Sequence, residues 1–175
     1  MSLKHVGGRD APRNSEIGAT LVEFAVIFPL LLMLLFGVIE FGRLVTTIIS
    51  VSTASREGAR FGTAIGEATP GTPQYIDCAG IVNAARARVL IGQPTAAEVT
   101  VIWDKGPGTP PIADCNLADA TYPNPSTAIV LSGHRVSVTV QKQFNTGIPL
   151  ISNFIGTMNL ESTDNRTIFK GVLSG

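Results

Sequence analysis

From Ile17 to Ile39 almost every position is apolar, with Thr20 and Glu23 as the polar interruptions. Counted from Ala19, the run holds 21 residues, and at about 1.5 Å per residue it reaches about 31 Å as a helix. That matches the hydrocarbon core of a bilayer. The residues before it are polar: Lys4, Arg9 and Arg13 outnumber Asp10 and Glu16, and Gly7, Gly8 and Pro12 break the stretch. Basic residues ahead of the run, with no positive excess just after it, put the N-terminus in the cytoplasm and the chain beyond about residue 43 outside. A secretory signal has a shorter apolar core with a small-residue cleavage site on its far side. Here the run continues through Glu40, Phe41, Gly42 and Arg43 without an A-x-A site, so it is expected to stay in the mature protein.

Helical character is expected from about Gly18 to Ile65, with no strong breaker between Pro29 and Gly58 and with Arg56 and Arg60 on one face. Pro29 removes an N–H and leaves the carbonyl of Ala25 without its usual partner, which predicts a mild kink. Gly66–Pro73 reads as a turn-rich linker. Tyr75–Leu90 carries Ile81, Val82, Ala85 and Val89 at helical spacing, with Arg86 and Arg88 facing water. Glu98–Trp103 reads as a strand, and Gly106–Pro125 as a long excursion rich in Pro, Gly and Asp. Arg135–Phe144 alternates Val136, Val138 and Val140 against Ser137, Thr139 and Gln141, the pattern of a half-buried strand. Asn159–Phe169 is expected to return antiparallel to it, and the apolar Pro149–Ile155 between them to form a helical turn or a contact patch.

These elements predict an α+β fold: a long N-terminal transmembrane helix continuing as a stem, packed against a second helix and a small antiparallel sheet. The organisation divides into a leader (1–18), a transmembrane helix (19–40), an extracytoplasmic helical stem (41–65) and an extracytoplasmic α+β domain (66–175). The length of 175 residues suits one compact domain plus an anchor.

Composition narrows the function. Hydrophobic residues at 45% exclude disorder, and a net charge of +0, with no basic cluster among aromatics, speaks against nucleic acid. Cys78 and Cys115 lie 37 positions apart, which rules out a CxxC redox pair and supplies too few thiolates for zinc. They are two free thiols or one disulfide, and a domain outside the cytoplasm favours the disulfide. The histidines are His5 and His134; Ser132, His134 and an aspartate make a triad on paper, but no GxSxG elbow accompanies them. No GxxxxGK[ST] or HExxH occurs, and Asp114 with Asp119 lacks the ligand density of a calcium loop. A protein without enzymatic activity, metal or cofactor is expected.

Glu23 remains to be explained. A carboxylate near the bilayer centre costs about 2.5–3.5 kcal/mol and less near the interface, so it either snorkels to water or has a function. Its surroundings, Glu16-Ile17-Gly18-Ala19-Thr20-Leu21-Val22-Glu23, resemble the processing site of type IV prepilins. In that family a peptidase cuts after a glycine at the junction of leader and apolar helix, and the fifth residue after the cut is glutamate. The resemblance implies cleavage between Gly18 and Ala19, and pairing of Glu23 with the N-terminal amine of a neighbouring subunit.

A wider set of residues is similar to the TadE-like pseudopilins of tight-adherence (Tad, or Flp-type) pilus systems. These are Gly18 to Ala25, Pro29, Ile39-Glu40-Phe41-Gly42 and Arg56-Glu57-Gly58-Ala59-Arg60. That resemblance implies a minor pilin-like protein for pilus biogenesis or assembly, held in the bacterial inner membrane or associated with the pilus. Its partners would be a prepilin peptidase, other pilins or pseudopilins, the Tad assembly machinery and the lipid bilayer. It also implies partner contacts at Glu40, Arg56, Glu57, Gly58 and Arg60; read without it, Arg56–Arg60 is a solvated helix end. The alternative is an uncleaved single-span protein whose outer domain binds a ligand or partner. Only the first predicts a mature N-terminus at Ala19.

Overall fold

The computed structural model describes residues 13–89, 92–116, 124–147 and 156–170, with the side chains of 13–17 left aside. Two compact units divide the chain, Met1–Phe41 and Gly42–Gly175.

Helix α1, Arg13–Phe61, enters both units and runs through Pro29 without a break in its helical assignment. Within it lies an 18-residue stretch of mean hydropathy 2.6, none of it buried. Leu21, Val22, Leu30, Leu34 and Val38 are each more than 60% exposed. A helical stretch apolar on all sides and left uncovered by the described residues needs an apolar surrounding, and its length fits a single crossing of a bilayer.

The second unit is built on residues 42–61 of α1, the helix α2 (Cys78–Ala87) and a sheet. Strands β1 (Glu67–Thr69) and β2 (Thr72–Pro73) form a small hairpin. Strands β3 (Val99–Asp104), β4 (Pro111–Asn116), β5 (Arg135–Asn145) and β6 (Thr157–Thr167) form an antiparallel sheet in the order β4-β3-β5-β6. The alternation read along β5 is the reason it sits centrally: Val136, Val138 and Val140 are fully buried and meet Val99, Val101, Trp103, Ile81 and Val82 in one core. Trp103 satisfies its indole N–H by donating to the carbonyl of Tyr75 at 2.8 Å. A buried ring would otherwise carry an unpaired donor there.

Two glycines set how closely α1 approaches. A β-carbon at Gly58 would stand 3.0 Å from Val138 Cγ1 and 3.1 Å from the Ala85 methyl; one at Gly62 would stand 3.0 Å from Ile81 Cδ1. Residues four apart share a helix face, so this bare strip lets the backbone of α1 lie against α2 and β5.

The α+β expectation holds, and the differences are local. Helix α1 stops at Phe61, four residues short of Ile65, where the Gly62 N–H still bonds to Gly58 but Thr63 and Ala64 turn tightly onto Arg60 and Phe61. The linker Gly66–Pro73 contains the β1–β2 hairpin, turned at Gly71 with φ +83°. The second helix begins at Cys78, because Asp77 caps it by accepting from the Gly80 N–H at 3.1 Å, and Gln74–Ile76 form a separate 3-10 turn. The excursion Gly106–Pro125 includes strand β4, paired along β3. Leu90, Pro149–Ile155, His5 and Asp119 lie outside the described residues.

Candidate functional site on the N-terminal helix

Gly18 and Ala19 are exposed and helical. A β-carbon on Gly18 would meet no atom of the described residues within 4 Å, so their packing does not require a glycine there. Glu23 is also exposed, flanked by Leu21, Val22 and Phe24, each at least 60% exposed. It stands four residues after Ala19, on the same helix face and about 6 Å further along the axis. An acidic side chain one turn from residue 19 on an otherwise apolar helix is an arrangement that can receive a cation at the membrane surface.

The remaining expected contact residues separate into three groups. Arg56 and Arg60 are exposed. Glu57 is held from two sides: Arg60 grips it with Nη2–Oε1 at 2.6 Å and Nε–Oε2 at 3.1 Å, and Arg88, which caps the C-terminal end of α2, approaches Oε1 at 3.4 Å. The hydrogen bond from Arg60 pulls the Glu57 carboxyl below its ordinary value; burial opposes this, and the charges of Arg60, Arg88 and Arg166 reinforce it. Glu57 in turn raises the Arg60 guanidinium. Glu40 and Gly58 are buried, Glu40 at 7% exposure. Gly58, expected at a partner surface, instead backs onto Val138 and Ala85 inside the domain.

Cys78 and Cys115 are joined by a disulfide, with their Cα atoms 6.1 Å apart. The bridge ties the first residue of α2 to β4. His134 accepts the Leu131 N–H at Nδ1, 3.1 Å away, in the turn ahead of β5. A polar cluster that the sequence did not suggest sits at the end of β3. Asp104, 6% exposed, takes both Nε and Nη2 of Arg135 at 3.0 Å, and the hydroxyl of buried Ser137 donates to Asn165 Oδ1. Its charge is paired and its members hold three strands together, which is a structural role.

A long apolar helical stretch with none of its residues buried, followed in the chain by a disulfide-bonded α+β domain, defines the class: a protein fitted for a single membrane span with a folded domain attached. Residues 18–60 match the family model described as TadE-like protein. Over this N-terminal segment the chain is similar to TadE-like proteins. The match begins at Gly18 and covers about a quarter of the chain. No curated protein and no solved structure matches it.

Proposed function

We propose that this chain is a minor pilin-like protein, a pseudopilin, that serves biogenesis or assembly of a Tad pilus after a prepilin peptidase removes residues 1–18. It sits in the bacterial inner membrane with its N-terminus in the cytoplasm and its disulfide-bonded domain on the far side. The observation that carries the reading is the match to the TadE-like family starting at Gly18, a glycine that no described residue packs against, five residues before an exposed carboxylate in an apolar helix. Cutting there creates an ammonium at Ala19 beside the face that carries Glu23. In an assembly of such helices, Glu23 compensates the amine of a neighbouring subunit and sets helix register. The disulfide supports an oxidising location for the domain, since reduced thiols prevail in the cytoplasm. The chemistry in this account is assembly chemistry, with no catalytic role and no cofactor.

Substituting Gly18 tests this directly. At Gly18 a β-carbon has open space among the described residues, yet the β-branched side chain of Gly18→Val stiffens the backbone that the peptidase must open. The variant should accumulate at full-length mass in cells that trim the wild type. Normal trimming of the variant would remove Gly18 from the recognition site and with it the processing assignment.

A further inference from the structure

Arg43 is the first cation after the apolar run. Helix α1 is unbroken across this stretch, and at about 1.5 Å per residue Arg43 stands about 6 Å beyond Ile39. Ile39 closes the 21 residues that suit a hydrocarbon core. The headgroup layer outside that core is about 5–8 Å deep on each side. A tilt of the helix only brings Arg43 closer to the core, and a helical side chain leans toward the N-terminus of its own helix, here back toward the span. Chain length alone therefore keeps the guanidinium at headgroup depth.

Arg43 brings one end of the sheet with it. Its guanidinium carbon lies 5.8 Å from the centre of the Phe144 ring, within reach of a cation–π contact. Phe144 pairs with Met158 and Asn145 with Thr157, the last two pairs of the β5–β6 ladder. Asn145 and Thr157 are exposed, and Met158 is 37% exposed. This end is also free of charge. From Phe144 to Leu160 the sequence contains no Asp, Glu, Lys, Arg or His. Residues 148–155, which join the two strands here and lie outside the described residues, therefore add none. The other end of the same ladder carries Arg135, Asp164 and Arg166, with His134 just before it. A surface that meets only water has no need of such clearance. Against lipid phosphates a carboxylate is repelled, and any ion drawn out of water there carries a desolvation cost.

We propose that this end of the β5–β6 hairpin rests in the phospholipid headgroup layer, with Asn145, Thr157 and Met158 against the headgroups and Arg43 donating to their phosphates. This rests on the single membrane span proposed above. The planar guanidinium presents paired N–H donors that match phosphate oxygens, and the Phe144 ring, 6% exposed, backs it from the side of the sheet. Asn145 and Thr157 exchange water for headgroup oxygens and lose no hydrogen bond in doing so. Headgroups already fill this depth, so a protein occupant would first have to displace them. Two attachments, the helix and the hairpin end, then hold the domain in one orientation on the bilayer.

The test uses the full chain in nanodiscs of phosphatidylethanolamine and phosphatidylglycerol, one chain to a disc, with nitroxide-labelled lipids as quenchers of tryptophan emission. Met158→Trp and Asn145→Trp each place a probe at an exposed position of the charge-free end. The emission of Trp103 in the parent chain is subtracted, and only variants that melt with the parent are compared. Both probes should lose emission to lipids labelled on the headgroup and keep it beside lipids labelled deep in the acyl chain. Leu131→Trp, exposed just ahead of β5 at the opposite end, should keep its emission with either label. Leu30→Trp, inside the apolar run, should lose it to the deep label. Quenching at Leu30→Trp with none at Met158→Trp and Asn145→Trp overturns this proposal and leaves the span in place, as it would if residues 148–155 covered this end and kept lipid away. Equal headgroup quenching at Leu131→Trp overturns it too, because the domain would then lie on the bilayer with no preference for this end. A deep label that fails to reach Leu30→Trp removes the span, and both readings fall with it.

Discussion

At Glu23, processing and assembly should come apart. Glu23→Gln keeps the size and hydrogen-bonding capacity of the side chain but removes its charge, which makes insertion slightly easier. What it removes from the assembled state is larger: at an effective dielectric near 20, a unit pair at about 4 Å is worth about 4 kcal/mol before desolvation is subtracted. The variant should be trimmed to Ala19 and stay in the membrane, yet fail to co-isolate with pilus or pseudopilus components. Wild-type co-isolation with normal piliation would instead favour a carboxylate that snorkels to water. Glu57 belongs to another kind of site. Because Arg60 holds its carboxyl below the ordinary value of 4.5, the folded chain takes up that proton less readily than the unfolded chain. The resulting stability is complete above 4.5 and fades as the pH falls through the lower folded value. Melting temperature measured against pH should therefore drop less on acidification for Glu57→Gln than for wild type, with the variant less stable near neutrality. Parallel curves would show that the pair contributes nothing.

At the scale of elements, the glycines of α1 divide by what surrounds them. Gly37 and Gly42 have open space where a side chain would go, whereas Gly58 lies against Val138, Ala85 and the carbonyl of Ile81. Gly58→Leu should cost about 1–3 kcal/mol or more by overpacking, and Gly42→Leu should leave denaturant midpoints within error of wild type. If Gly58→Leu were neutral, the close approach of α1 to α2 and β5 would be wrong. The elements most legible in the sequence were those whose pattern matched their burial. In β5 the strict alternation of valines with polar residues corresponds to a strand with one face in the core. The spacing of Ile81, Val82 and Ala85 likewise corresponds to the buried side of α2. The β1–β2 hairpin and β4 were missed for a physical reason: Gly66, Gly71, Pro73 and Pro110-Pro111 punctuate them, and such short strands gain their order from their neighbours instead of from a hydrophobic period.

For the molecule as a whole, the helix that fits a membrane span was readable because spanning depends on a long run of side-chain types, and α1 presents an 18-residue stretch of that run with none of it buried. The placement of Gly18 and Glu23 on one helix was readable, because spacing alone fixes it and both are exposed there. The placement of Gly58 was less so, since its burial depends on strands that come some eighty residues later in the chain. The pairing of Cys78 with Cys115 stayed open in the sequence and is made in the fold. The central claim concerns what the cell does to this chain before it assembles. It is tested most directly by the intact mass and N-terminal sequence of the membrane-embedded protein, isolated from cells with and without a prepilin peptidase. The account predicts a chain beginning at Ala19 only where the peptidase is present, and full-length protein where it is absent. A full-length chain in both, or a start elsewhere than Ala19, would contradict it.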